Sequence, residues 1–173
     1  DTMGYTLSTT IVDEPFSYSN GRPVENWNHT YKGTVTVKQA IAQSMNVCAV
    51  KTLTAITPQL GYDYLLNFGI STLVDNRVEK NGSVSSDIHQ ALALGGITDG
   101  VTNLEMTAAY ASIANTGKYI RPVFYSQVID SNGRVLLDNT APKAKTILKD
   151  STAYLLTQAM ISVVKEGTGT PCQ

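Results

Sequence analysis

The sequence predicts a helix-rich α+β fold, on three observations. Thr36-x-x-Gln39 and Thr102-x-x-Glu105 are capping boxes, in which a threonine hydroxyl and the side chain three residues on satisfy free amides at a helix start. An apolar run at helical spacing follows each of them. Asn132-Gly133 stands between two apolar runs and is the dipeptide that favours a tight hairpin turn with positive φ. No internal repeat or low-complexity tract is present.

In chain order, residues 1–33 are rich in Thr, Ser, Asn, Gly and Pro without a sustained period, and read as loop and short extended segments. After the first capping box, Val37, Ala40, Ile41, Met45, Cys48 and Ala49 share a helical face. That run either continues to Thr54 or breaks at Ser44–Asn46, because Ser and Asn prefer helix starts. Pro58 opens a further helix with Tyr62, Leu65 and Leu66 inward and Gly69 closing it. Residues 71–86 read as a polar connection, and residues 88–94 as a short helix ending at Gly95-Gly96. The helix begun by Thr102 carries Leu104, Ala108, Ala111, Ile113 and Ala114 and ends near Asn115-Thr-Gly117. The hairpin joins residues 123–130 to 134–137. A last helix covers residues 150–165, with Tyr154, Leu155, Met160, Val163 and Val164 as its core face and Gly167 as its stop.

At 173 residues and 42% hydrophobic content the chain is long enough for one domain with a sizeable core. A net charge of −1 and a pI of about 6.1, with both signs interspersed, argue against nucleic-acid binding, which needs a basic face. No apolar run approaches the roughly 18 residues of a membrane span; the richest, residues 155–164, is interrupted by Thr157 and Gln158. The first residues, Asp1-Thr-Met-Gly, have neither the basic nor the apolar part of a secretory signal, so the chain is expected to be an excised or processed piece. Cys48 and Cys172 are too few for a disulfide framework or a zinc site, and Cys48 reads as a small buried hydrophobe. His29 and His89 lie far apart in sequence without ligand-like neighbours, so both read as solvated or hydrogen-bonded histidines.

Four blocks then fall in a recognisable order. The first is residues 36–50, with Ser44-Met45-Asn46 at its centre. The second is Ala93-Leu-Gly-Gly96 with residues 101–117, and the third Lys118-Tyr-Ile-Arg-Pro-Val with Asp130-Ser-Asn-Gly-Arg-Val. The last is residues 152–160 with residues 163–170. Together they resemble the class A, bifunctional penicillin-binding proteins, the serine transpeptidases that cross-link peptidoglycan. The resemblance implies the penicillin-recognising (β-lactamase/transpeptidase-like) fold, mostly its helical subdomain plus a hairpin that belongs to or abuts its antiparallel sheet. Of the family's three motifs, Ser-x-x-Lys, Ser-x-Asn and Lys-Thr-Gly, only the middle one stands here in its context. Residues 1–173 are therefore expected to be a partial transpeptidase domain, with the first motif before residue 1 and the third beyond residue 173. Cys48 departs from the family, many of whose members carry a proline there that would start the second helix.

The resemblance implies D-alanyl-D-alanine transpeptidation on peptidoglycan stem peptides, with β-lactams as acylating mimics in the intact protein. The other implied partners are the missing parts of the same domain, and the resemblance implies no metal or cofactor. The parent would sit on the extracytoplasmic face of the bacterial cell membrane, held by an anchor absent here. Acyl transfer needs a nucleophile, a base and a proton route to the departing amine. Ser44, whose hydroxyl both donates and accepts, can pass that proton; Asn46, with a carbonyl and an amide, can bridge the catalytic lysine and the substrate amide. In isolation Ser-x-Asn makes an ordinary helix cap or turn. Trp27 is a candidate aromatic of the peptide groove, with an ordinary packed or interface aromatic as the equal alternative. Ser162-Val-Val-Lys165 has Ser-x-x-Lys spacing by coincidence, and Gly167-Thr-Gly-Thr170 has a glycine where Lys-Thr-Gly has its lysine. The alternative functions are a non-catalytic binding or scaffold module and a β-lactamase or β-lactam sensor of the same fold. This chain alone is expected to be inactive.

Overall fold

The computed structural model describes residues 1–172. Strand β1 (Thr10–Asp13) pairs antiparallel with β4 (Gly33–Thr36), and within the loop they enclose, β2 (Phe16–Ser17) pairs with β3 (Pro23–Val24). The polar segment 1–33 thus holds three short strands. Period-2 alternation cannot be seen in strands of two to four residues, which is why the sequence reads as loop there.

Helix α1 (Val37–Ala42) starts at the Thr36 capping box, with both reciprocal hydrogen bonds present. The open question at Ser44–Asn46 resolves as a break: a separate helix α2 covers Asn46–Ile56. Helix α3 (Pro58–Asn67) has its proline in the first turn and Thr57 capping Leu60. It buries Tyr62 and half-buries Leu65, but Leu66 lies outward, contrary to expectation. The segment 71–86 is more than a connection, since β5 (Arg77–Val78) pairs with β6 (Val84–Ser85). The short helix is a 3-10 turn, Gln90–Leu94, closed by Gly95 at φ +77°.

Helix α4 (Asn103–Ala114) starts at the second capping box. Strand β7 (Lys118–Ile120) follows, then the hairpin β8 (Gln127–Ile129) and β9 (Val135–Asp138), and β10 (Ala144–Thr146) returns to pair with β7. The Asn132-Gly133 hairpin therefore grows out of a second two-stranded ribbon, and five antiparallel pairs, not one, are found among the described residues. Helix α5 (Asp150–Glu166) packs on both α1 and α4.

The inward faces of α4 and α5 match the apolar pattern in part. Ala108 is buried and Ile113, Leu155, Met160 and Val163 are half-buried as predicted, but Leu104, Ala111, Ala114, Tyr154 and Val164 are exposed, and Ser112, Ala153, Ala159 and Ser162 are buried instead. Small residues let two helix backbones approach closely, and the larger side chains are displaced to the rim. The remaining core lies around α2. Val47 and Val50 pack with Val24, and Leu53 packs with Tyr62 and Leu92.

Two carboxylates fasten the loops. Asp87, fully buried, accepts from the Val74 and Thr98 amides and the Thr98 hydroxyl. Glu105 accepts from the amide and hydroxyl of both Ser71 and Thr102, which tie α4 to the segment after α3. The Ser71 hydroxyl, followed by the backbone amides, holds the Glu105 carboxyl down from 4.5 to about 2. Because the folded value is depressed, its stabilisation is complete above about 4.5 and is lost as pH falls through about 2. Glu105→Gln is expected to lower the urea midpoint at pH 7 and to lower it progressively less toward pH 2. Paired urea melts across that range check it.

Candidate active site

Helix α1 ends in a Schellman motif. The Met45 amide donates to the Ala40 carbonyl at 2.9 Å and the Ser44 amide to the Ile41 carbonyl at 3.1 Å. Ser44 occupies the left-handed position, with φ +52°, where glycine is the usual residue and an L side chain costs about 1–2 kcal/mol. Met45 and Ala40 pack in one buried cluster with Val35 and Cys48, which is the apolar contact this motif ordinarily carries.

The reversal places Asn46 as the first residue of α2. Residues two apart in a continuous helix point roughly 200° away from each other. With the helix broken between them, Ser44 and Asn46 line the same cavity of about 620 Å³. Asn46 Nδ2 donates to the Glu25 carbonyl at 2.9 Å, which identifies that side of the amide as nitrogen and leaves Oδ1 without a partner among the described residues. The Ser44 hydroxyl also has no partner among them. The rest of the cavity is mostly apolar, with Val37, Ile41, Ala49, Leu53 and Leu94 in its wall beside Tyr5 and Thr52. A second trough of about 230 Å³ shares Tyr5, Val37, Ile41, Thr52 and Ile56 with it and runs on to Leu155 and Leu156 of α5.

The junction is braced from α5. Gln43 Nε2 donates to the Glu166 carbonyl at 3.0 Å, Lys38 pairs with Glu166 at 2.7 Å, and the Thr168 amide donates to the Ala42 carbonyl at 3.0 Å. A Cβ on Gly167 would collide with that same carbonyl, so the residue that stops α5 also sets how closely it approaches α1.

Trp27 is 70% exposed and borders a separate small crevice with Asn26, Lys32, Gln43 and Met45, so it does not join Ser44 and Asn46 in their cavity. Cys48 lines that cavity but is buried, and burial, then the charge of Asp13, pushes its thiol up to about 11. It remains a thiol at neutral pH. Ser162 is buried and donates to the Gln158 carbonyl at 3.1 Å, as a helix serine packed against a neighbour does.

Two residues at the site escape a reading of the sequence. Asp13 and Asn26, 1% and 4% exposed, are hydrogen-bonded to each other, and Asn26 reaches the Val47 amide of α2. Asn26 lies 13 residues from Asp13 and 21 from Val47, and no local pattern marks contacts of that span.

The sequence profile of the penicillin-binding protein transpeptidase domain matches residues 4–173. The chain belongs to that family. It is 34% identical over 161 residues to penicillin-binding protein 1A/1B of Bacillus subtilis, covering 92% of this chain and 16% of that protein. It is 33% identical over 171 residues to penicillin-binding protein 1A of Streptococcus pneumoniae, covering 95% and 22%. The chain therefore spans about a fifth of the length of the curated relatives it matches. In the crystal structure of penicillin-binding protein 1A from Haemophilus influenzae, 97% of this chain superposes on 29% of that chain with a TM-score of 0.77 at 21% identity. PonA1 of Mycobacterium tuberculosis, solved in complex with penicillin V, gives a TM-score of 0.74 at 23% identity over 91% of this chain and 42% of that one. These likenesses establish the α+β transpeptidase fold that the sequence predicts.

The left-handed serine sets a stability test. Ser44→Gly is expected to stabilise the fold by about 1 kcal/mol, because glycine adopts this backbone without steric cost. Ser44→Ala keeps the Cβ and should bring no such gain. Urea unfolding of the two variants beside the unmodified protein checks the difference.

Proposed function

We propose that this chain is the part of a D-alanyl-D-alanine transpeptidase that contributes the Ser-x-Asn motif to peptidoglycan cross-linking. The observation that supports the reading is the helix break, which brings Ser44 and Asn46, two residues apart, to the wall of one cavity, with the Ser44 hydroxyl and Asn46 Oδ1 without a partner among the described residues.

The chemistry runs as an acyl transfer. A serine supplied by the family's first motif, outside residues 1–173, attacks the penultimate D-alanine carbonyl, and the bond to the terminal D-alanine nitrogen breaks. Ser44 takes up the proton released on the nucleophile's side and passes one to the departing nitrogen, which a hydroxyl does by donating and accepting at once. Asn46, fixed at Nδ2 by the Glu25 carbonyl, turns Oδ1 to the catalytic lysine and the substrate amide. A β-lactam enters the same route, and its ring nitrogen takes the place of the leaving amine. The exposure of Trp27 beside the Glu25–Asn26 segment supports a role in flanking a stem peptide, from a crevice outside the cavity of Ser44 and Asn46.

The apolar cavity and the trough running on to α5 are the seat of the remaining parts of the domain, since a trough of this kind takes the apolar face of a helix. The complete protein acts on the extracytoplasmic face of the bacterial membrane. No helix among the described residues is long and apolar enough to cross a membrane.

A fluorescent penicillin followed by a denaturing gel tests the reading. Residues 1–173 alone are expected to give no covalent band and the complete protein a strong one. In the complete protein, Ser44→Ala and Asn46→Ala should each slow labelling roughly a hundredfold or more. A band on the isolated chain that disappears with Ser162→Ala would overturn it.

A further inference from the structure

Helix α2 begins without a cap of its own. Its N-cap residue is Met45, which has no side-chain acceptor for the free amides of the first turn. The acceptor comes from elsewhere in the chain: Asn26 Oδ1 receives the Val47 amide at 3.3 Å. That amide adjoins Asn46 directly.

The orientation of Asn26 is fixed by what surrounds its nitrogen. Nδ2 donates to both oxygens of Asp13, at 2.9 and 3.1 Å, and to the Thr30 carbonyl at 2.9 Å. All three are acceptors, so only nitrogen can face them, and Oδ1 must face Val47. Asp13 is held in turn by the Lys32 amide at 2.9 Å and sits at the end of β1, where it pairs with Gly33 of β4. Buried at 1% and 4% exposure, neither side chain can exchange these partners for water. One residue before Asn26, the Glu25 carbonyl takes Asn46 Nδ2 at 2.9 Å. A single dipeptide therefore fixes both the first turn of α2 and the rotamer of Asn46.

We propose that Asn26, held by Asp13, is a positioning residue for the Ser-x-Asn pair: it caps α2 from outside the helix and so sets where Asn46 points. The inference rests on the functional reading of Ser44 and Asn46 given above. Without Asn26, the Val47 amide loses its acceptor and Asp13 is left buried with its main donor gone. The start of α2 and the Glu25 carbonyl are then free to shift against each other. A displacement of about 1 Å at a reacting group costs on the order of a hundredfold in rate.

The test uses the complete protein, in which acylation by a fluorescent penicillin is followed over time and separated into non-covalent binding and the acylation step. Asn26→Ala is expected to slow the acylation step on the order of a hundredfold, with a smaller change in non-covalent affinity. The exchange Asp13→Asn/Asn26→Asp restores a mutual hydrogen bond. The new amide at position 13 donates to the new carboxylate at position 26, which still accepts from Val47, although the Thr30 carbonyl loses its donor. The exchange should return acylation to within about tenfold of the unmodified rate.

Unmodified acylation by Asn26→Ala beside slow acylation by Asn46→Ala would overturn the positioning role alone. Unmodified acylation by Asn46→Ala would remove the Ser-x-Asn reading and this inference with it. An exchange variant that melts like the unmodified protein yet acylates as slowly as Asn26→Ala would also overturn it. So would loss of the cooperative melt in both variants, which would make the pair a folding element only.

Discussion

Two side chains two residues apart can serve one cavity only if the helix between them is broken, and the rest of this structure follows from that constraint. A continuous helix from Thr36 to Ile56 would send Ser44 and Asn46 to opposite faces. The break asks for a left-handed residue, and the chain supplies a serine at φ +52° where glycine would be comfortable. A glycine would make the turn and lose the hydroxyl. The turn is instead secured around the serine, by two backbone hydrogen bonds back into α1 and by the buried contact of Met45 with Ala40. Strained residues persist where their surroundings over-determine them, and here they do so from three directions.

Those directions account for much of the topology. The α5 end reaches the α1 end through Gln43, Lys38 and the Ala42 carbonyl, across more than 120 residues of chain. The β1–β4 pair delivers Asp13 and, through the loop between the strands, Glu25 and Asn26 to the start of α2. Lys51 closes the same region by donating to the Val12 carbonyl and Glu14, each at 2.8 Å. The polar segment 1–33, unremarkable in composition, is thus the scaffold of the site.

The parts legible in the sequence are those whose cause is local. Both capping boxes, the proline start of α3, the Asn132-Gly133 turn and the glycine stop of α5 each depend on residues within four positions of one another. The break at Ser44 is only half legible, because serine permits a stop without demanding one, and the acceptor that caps the next helix lies 21 residues from the Val47 amide it receives. The inward faces of α4 and α5 are only partly legible for a different reason. An apolar pattern says which residues avoid water, not which face meets a neighbour. Ala108 is buried as its spacing predicts, but Ser112, Ala153 and Ala159 are buried where Leu104 and Tyr154 are exposed. In Asn26-Trp-Asn28 the aromatic is the conspicuous residue of the sequence, whereas the buried hydrogen bonds belong to the asparagine before it.

Cys48 shows how one substitution and one remote contact bear on the same problem. The family resemblance of the sequence implies a proline at that position, which is the third residue of α2. A proline there loses no helical hydrogen bond, because the amides of the first turn have no carbonyl within the helix to reach. It supplies a fixed φ and so a sharp helix start. Cysteine supplies neither that restraint nor a nucleophile, since burial keeps its thiol protonated. It contributes volume to the cluster with Val35, Ala40 and Met45. With Met45 unable to cap and Cys48 unable to restrain, the start of α2 falls to Asn26, and the geometry of Asn46 depends on a hydrogen bond made from outside its own helix.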